Sequence, residues 1–188
     1  MGLLDELTPK FRQRCEAIAT EKRHLLNLQA FDRLPADQLA IHLNTTILTI
    51  DAFPNLAEQF QNILQTSKEW SAAIVCYDPL QIVHNSNHVG ARRESNLMHE
   101  FGHILLDHPM VRFDASKNPL RHKQYENEAT YLGGCLQIPH RGLLWAIQKG
   151  MTLLQISEHF GASKEIVQFR SNAVGLKHYL GDMLKLSA

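Results

Sequence analysis

The segment LMHEFGHILLDH, at residues 97–108, constrains this chain more than any other. Two histidines lie four residues apart, with a glutamate directly after the first, inside a run that is otherwise mostly apolar. On an α-helix, positions four apart differ by about 40° in azimuth and about 6 Å in rise, so His99 and His103 project from one face. Their ring nitrogens can then meet at one cation. Glu100 is rotated by about 100° from His99 and can instead hold the proton of a water molecule.

The residues around the two histidines predict a helix over residues 91–107 that packs against the rest of the chain. Its other faces carry apolar side chains such as Phe101 and Ile104. An unpaired histidine or glutamate on a packed helix would be costly, which favours a metal site over two histidines placed by accident. Gly102 costs about 1 kcal/mol relative to alanine in a helix interior, which indicates that another segment comes close to its backbone.

A catalytic zinc ion needs a third protein ligand besides two histidines, and it keeps one position open. His108 is the next histidine in the sequence, but a continued helix would turn it about 140° away from His103. The following helix, predicted over residues 123–137, offers Glu126 and Glu128. Because these carboxylates are two positions apart, they face opposite sides of the helix, and one of them can reach the metal.

Glu126 is the favoured third ligand, and Glu128 is the alternative. The face of Glu126 continues with the small residues Ala129, Thr130 and Gly133, which allow close packing against the first helix. Thr130 lies one turn beyond Glu126 and can hydrogen-bond a ligand histidine so as to orient it. The predicted metal ligands are His99, His103 and Glu126.

Apart from these two helices, the pattern predicts one α+β unit that is mostly helical and has a small sheet. Thr8 and Pro9 are typical of a helix start, and Asp78-Pro79 is a turn signal between two short apolar runs over residues 71–85. That hairpin and a β-branched segment supply the strands. The further predictions are a strand over 45–50, a loop over 108–121, and helices over 9–27, 34–44, 55–67, 141–149, 153–160 and 164–176.

The C-terminal helices predict a helix-turn-helix outline. Thr152 opens one helix with a capping-box pattern, Gly161 ends that helix, and Ser163 caps the next one. We therefore expect a core over residues 1–140 and a helical extension over residues 141–188 that packs on the core.

Composition predicts a globular protein of a reducing compartment. The 188 residues are 44% hydrophobic and 20% charged, and their formal net charge is zero, so no global basic field attracts nucleic acid. The three cysteines are an odd number and are widely spaced, which argues against a disulfide framework. No apolar run approaches about 18 residues, and the charged start does not match a secretory signal, so we expect a cytoplasmic protein.

Two segments carry motifs that occur as a pair. They are RRESNLMHEFGHILLDH and, 17 residues on, ENEATYLGGCLQIP. Together they resemble the ImmA/IrrE metallopeptidases, in which an HExxH helix is followed by an E-x-E-A block ending in proline. Glu126, Glu128 and Pro139 match that block, whereas Thr130 stands where the family usually has Asn or Asp, and Gly133 stands where it has Ala.

The resemblance extends over residues 34–176 and implies a zincin-like core with zinc-dependent endopeptidase activity in the cytoplasm. The members of the family that have been studied cleave helix-turn-helix repressors and so switch on prophage, mobile-element or stress genes. The expected partner is thus a protein substrate, a repressor from a neighbouring gene. In the expected mechanism, Glu100 is the general base that moves a proton from water to the leaving amine. Mn²⁺ or Fe²⁺ can occupy similar nitrogen and oxygen sites.

The sequence does not single out the donor that would stabilise the oxyanion. Three residues near the motif helices are candidates for this role. They are Tyr125, His108 and His88. The hairpin could present an edge strand to an extended substrate, or it could belong to a core sheet without substrate contact.

A DNA- or protein-binding module is the alternative function, with the metal structural or absent. It would rest on the C-terminal helices. The segment that would contact DNA, residues 163–176, has only Lys164 and Arg170 as basic residues, fewer than a DNA reader usually presents to phosphates. We therefore expect these helices to pack on the core or to dock the repressor, and direct DNA binding is disfavoured.

Overall fold

The structure is a computed structural model that describes residues 3–52, 70–109, 112–113, 119–120 and 122–176. Within these ranges the chain is mostly helical and has two small sheets. The helices are α1 (Leu3–Glu6), α2 (Pro9–Leu25), α3 (Ala36–His42), α4 (Gly90–Leu105), α5 (Lys123–Gln137), α6 (His140–Gln148), α7 (Leu153–Phe160) and α8 (Lys164–Ala173). The strands are β1 (Thr46–Thr49), β2 (Ala72–Tyr77), β3 (Leu80–His84), β4 (Arg112–Phe113) and β5 (Pro119–Leu120).

The larger sheet has three strands in the order β1-β3-β2. β3 is parallel to β1 and antiparallel to β2, so the hairpin predicted around Asp78-Pro79 is confirmed. β3 lies in the middle, and its Ile82 and Val83 are buried. β2 lies at an edge of this sheet, where Val75 and Tyr77 are exposed.

Several helix ends follow the capping signals of the sequence. Thr8 accepts a hydrogen bond from the backbone N–H of Phe11 at 3.2 Å. Thr152 and Gln155 form the predicted capping box at the start of α7, and Gly161 ends that helix in a left-handed conformation with φ of 64°. These local signals satisfy backbone groups that the helix itself leaves unpaired.

Two local features differ from the sequence predictions or were not expected. The stretch predicted as a loop over residues 108–121 contains the antiparallel pair β4 and β5, because short pairings leave no clear periodicity in a sequence. The short helix α1 was not expected. The predicted helix over 55–67 lies outside the described residues.

In the described ranges, no helix has both the length and the apolar character needed to cross a membrane.

The helices α4 and α5 pack so closely that side chains larger than hydrogen would not fit at two glycines. A Cβ atom at Gly102 would lie 2.5 Å from the carbonyl oxygen of Ala129, and one at Gly133 would lie 2.8 Å from that of Met98. The small residues on both helices therefore let the two backbones meet, as expected from the sequence. This contact fixes the distance between the two helices that carry the candidate ligands.

Two buried arginines join the carboxyl end of α5 to other parts of the fold. Arg23 of α2 donates to the carbonyl oxygens of Leu136 and Gln137 at 2.7 and 2.8 Å. Arg170 of α8 donates to the carbonyl oxygen of Ile138 at 2.9 Å and pairs with Glu16. These charged donors satisfy carbonyls that the end of a helix leaves without partners.

Candidate metal centre

Three side chains from α4 and α5 converge on one point. His99 Nε2 and His103 Nε2 are 3.2 Å apart. One carboxylate oxygen of Glu126 lies 3.4 Å from His99 Nε2, and the other lies 3.7 Å from His103 Nε2. Within the described residues, these three form a group whose potential ligand atoms all lie within 4.8 Å of one another. The structure thus brings together the three residues predicted as metal ligands.

The spacing of these atoms fits a small divalent cation. Nitrogen and oxygen ligands about 2.0–2.1 Å from a tetrahedral zinc ion are about 3.3–3.4 Å from one another. The three observed separations of 3.2, 3.4 and 3.7 Å lie close to that value. Two imidazoles and one carboxylate are also a ligand set that zinc accepts at sites with one open position. The residues present therefore fit a metal ion of this kind.

The three candidate ligands are partly exposed to solvent. The side chain of His103 is 12% exposed, whereas those of His99 and Glu126 are 25% and 26% exposed. Glu100 is buried at 8% exposure, one position along α4 from His99. Solvent therefore reaches the candidate ligands, whereas the Glu100 side chain is largely shielded from it.

The side chain of Thr130, in α5, contacts the ring of His99. Its Oγ1 atom is 3.2 Å from His99 Nδ1, on the side of the ring away from Glu126. A histidine that binds a metal through Nε2 uses Nδ1 as a donor, and a hydroxyl oxygen can accept that hydrogen bond. The structure therefore places Thr130 where the sequence suggested, in contact with a candidate ligand.

The helical projection used for His108 does not apply, because the helix ends before that residue. α4 stops at Leu105, and Asp107 adopts a positive φ of 55°. The chain then turns back, and the backbone N–H of His108 donates to the carbonyl oxygen of His103 at 3.0 Å. The His108 ring consequently lies against His103, with 3.0 Å between their Nδ1 atoms.

Glu128, the alternative third ligand, reaches His108 instead of the cation position. Its Oε2 atom is 3.0 Å from His108 Nε2, and its Oε1 atom accepts a hydrogen bond from Gln124 at 2.8 Å. Both ring nitrogens of His108 are thereby engaged, with His103 and with Glu128. His108 is therefore poorly placed to donate to an oxyanion.

The other two oxyanion candidates differ in position. The Tyr125 ring stacks on the His108 ring, with centroids 4.6 Å apart and 27° between the planes. His88 lies before α4, where its Nδ1 atom is 2.9 Å from Asn96 Nδ2. Tyr125 therefore belongs to the wall of the site, while His88 contacts the amino-terminal half of the motif helix.

Tyr77, at the end of β2, is a neighbour of the site that the sequence did not single out. Its hydroxyl donates to the carbonyl oxygen of His108 at 3.0 Å. Partial burial raises the pKa of Tyr77 above its usual value, and the nearby carboxylates of Glu100 and Asp107 act in the same direction. No local motif predicts this proximity, because it depends on how the hairpin packs against α4.

A comparison with known protein families shows to which family the chain belongs. Residues 66–172 match the Peptidase_M78 family, described as the IrrE N-terminal-like domain, over more than half of the 188 residues. The chain belongs to the ImmA/IrrE family of metallopeptidases. No curated protein and no solved structure matches it.

The part of the chain that matches the ImmA/IrrE family model contains the whole candidate site. It includes both strands of the hairpin, the motif helix α4 and the helix α5, and it ends within α8. The elements α1 to α3 and β1 precede it. The observed group of His99, His103 and Glu126 thus lies in the family's peptidase domain, where a metal ion is expected.

Proposed function

We propose that the chain is a zinc-dependent endopeptidase of the cytoplasm that cleaves a helix-turn-helix transcriptional repressor. Such cleavage would induce prophage, mobile-element or stress genes. The observation that carries the proposal is the convergence of two imidazole nitrogens and a carboxylate oxygen in a member of a metallopeptidase family. The repressor as substrate rests on the resemblance to family members that cleave such proteins.

In the proposed reaction, zinc, Mn²⁺ or Fe²⁺ supplies Lewis acidity toward the scissile carbonyl and toward the attacking water. His99 and His103 would hold the ion through their Nε2 atoms, and Glu126 would hold it through a carboxylate oxygen. A carboxylate oxygen of Glu100 takes a proton from the water and delivers it to the leaving amide nitrogen. The burial of Glu100 keeps bulk water from competing for that proton.

An extended segment of the substrate would bind along β2. This strand lies at the edge of the three-stranded sheet, and Tyr77 at its end contacts the loop that follows the motif helix. An exposed strand edge can pair with a peptide through backbone hydrogen bonds. The contact of Tyr77 with His108 would hold that edge beside the cation position.

The alternative of a DNA-binding module loses support from the position of Arg170. Of the two basic residues in the segment 163–176, Arg170 is fully buried and bonded to Ile138 and Glu16. Lys164 is therefore the basic side chain that this described segment can offer to phosphates. We propose that α7 and α8 serve for packing or for docking of the repressor.

The decisive experiment combines one substitution with metal analysis. Glu100→Gln is expected to bind zinc in the same ratio as the wild type, because Glu100 is not a proposed ligand. It should cleave the repressor encoded beside this chain at least about 100-fold more slowly, since the general base is lost. Cleavage is followed by gel electrophoresis of purified proteins, and bound metal is followed by elemental analysis.

Glu21→Gln is the matched control, because that carboxylate is 63% exposed on α2 and pairs with Lys22 at the surface. It should cleave at the wild-type rate. Treatment of the wild type with a chelator should abolish cleavage, and added zinc should restore it. A Glu100→Gln protein or a chelated wild type that cleaves at full rate would contradict the proposed function.

A further inference from the structure

His108 and Glu128, which are not candidate metal ligands, form a chain of contacts that ends at the candidate ligand His103. His108 Nδ1 lies 3.0 Å from His103 Nδ1, and His108 Nε2 lies 3.0 Å from a carboxylate oxygen of Glu128. The side chains of His108 and Glu128 are 5% and 16% exposed. The chain of contacts therefore runs from a shielded carboxylate through two imidazoles to the cation position.

The positions of the hydrogen atoms in this chain of contacts follow from the chemistry of neutral imidazole rings. A neutral imidazole carries one proton, and the nitrogen that binds a metal must be the one without it. If His103 binds through Nε2, its Nδ1 carries the proton and donates to His108 Nδ1. His108 must then carry its own proton on Nε2, where an ionised Glu128 accepts it.

The opposite arrangement of the two neutral rings is disfavoured by Glu128. It would turn the lone pair of His108 Nε2 toward the carboxylate, and two acceptors would face each other at 3.0 Å. It would also put the proton of His103 on Nε2, where it would block the cation position. The carboxylate therefore selects the tautomers of both rings.

We propose that Glu128 and His108 are positioning residues that hold His103 in the tautomer whose Nε2 lone pair faces the metal. This inference rests on the proposed metal-dependent function. We call the chain of contacts from Glu128 through His108 to His103 the relay. Two further contacts hold it in place: Gln124 donates to Glu128, and Tyr125 stacks on His108. These contacts fix the carboxylate and the plane of the ring.

The two candidate ligand histidines differ in this respect. His99 Nδ1 faces the hydroxyl of Thr130, which can both donate and accept a hydrogen bond. Such a partner orients a ring without choosing its tautomer. The Glu128 carboxylate at the end of the relay can only accept a hydrogen bond, so it determines the tautomer of His103.

Zinc affinity of the purified full chain tests the relay. Glu128→Gln replaces the acceptor by an amide that can also donate, so the tautomers are no longer selected. We expect zinc binding, measured by competition with a chromogenic chelator, to weaken by about 10- to 100-fold. Glu6→Gln is the matched control: this carboxylate also contacts α5, through Lys123 and Asn127, and should leave the affinity unchanged.

A second substitution separates the relay from a simple effect of charge. In a His108→Phe background, the link between Glu128 and His103 is absent, so Glu128→Gln should have no further effect on zinc affinity. Phenylalanine can keep the stacking on Tyr125, and circular dichroism checks that the metal-free variants are folded. An equal loss of affinity in both backgrounds would overturn the proposal, because the carboxylate would then act through its field.

Nuclear magnetic resonance of the wild type gives a test that needs no variant. Imidazole ¹⁵N shifts should show the proton on Nδ1 of His103 and on Nε2 of His108, in the metal-free and the zinc-loaded protein. The reverse tautomers would overturn the relay. A wild type that binds no zinc would contradict the proposed function, while the tautomers of the metal-free protein would still decide the relay.

Discussion

His88 shows at the scale of one residue what burial does to a histidine away from the candidate metal centre. Its Nε2 atom is buried and has no hydrogen-bond partner among the described residues. Burial lowers the pKa of the ring below its usual value, and the positive charge of Arg92 acts in the same direction. The unfolded chain therefore takes up this proton at a higher pH than the folded chain, and stability falls as the pH drops below about 6.5.

His88→Asn is expected to reduce this loss of stability. Asparagine can keep a bond to Asn96 near the position of Nδ1, but it does not titrate. Urea midpoints of both proteins, measured from pH 7.5 to pH 5, should fall more steeply for the wild type. Part of the fall should remain in the variant, because burial also lowers the pKa of His84. Parallel curves for the two proteins would contradict the assignment.

Individual residues were predictable from the sequence where helical periodicity alone placed them. His99 and His103 project from one face of any helix, and the small residues after Glu126 indicated which side of α5 would meet them. His108 was not predictable in this way. Its position depends on the left-handed turn at Asp107, which brings the ring back onto His103.

At the scale of elements, the contact between α4 and α5 depends on Gly102. Gly102→Ala would place a Cβ atom 2.5 Å from the carbonyl oxygen of Ala129, so the two helices would have to move apart. We expect the free energy of unfolding to fall by about 1–3 kcal/mol, as in other overpacked cores. Helix propensity acts in the opposite direction by about 1 kcal/mol, and urea unfolding measures the net effect.

Ala17→Gly calibrates the propensity effect by itself. Ala17 is exposed on α2, so exchanging alanine for glycine there should cost about 1 kcal/mol without any change in packing. If Gly102→Ala proved as stable as the wild type or more stable, close packing would not be the reason for glycine at this position. The sequence indicated a close approach at Gly102, because glycine lowers helix stability there. Only the structure shows that the approaching residue is Ala129.

At the scale of the whole molecule, the sequence predicted an α+β chain with a helical extension but not how the parts are joined. The buried apolar residues form two clusters, one around α2, α4 and α5 and one around α6 to α8. Arg170 lies between them, with Glu16 of α2 as its charged partner. A charge pair that links residues 154 positions apart leaves no local pattern, and the sequence showed Arg170 only as a basic residue that could contact DNA.

Glu16→Gln is expected to destabilise the whole molecule, because it leaves the fully buried guanidinium of Arg170 without a compensating charge. Removing one partner of a fully buried ion pair costs about 3–5 kcal/mol, and the loss here should be smaller because the Glu16 side chain is 25% exposed. Urea unfolding should show this loss both by far-ultraviolet circular dichroism and by fluorescence of Trp145, which packs against the second cluster, in a Trp70→Phe background. Glu21→Gln on the same helix removes a surface carboxylate and should change stability by less than about 1 kcal/mol. If Glu16→Gln unfolded with the wild-type midpoint, the pair would not join the two clusters energetically.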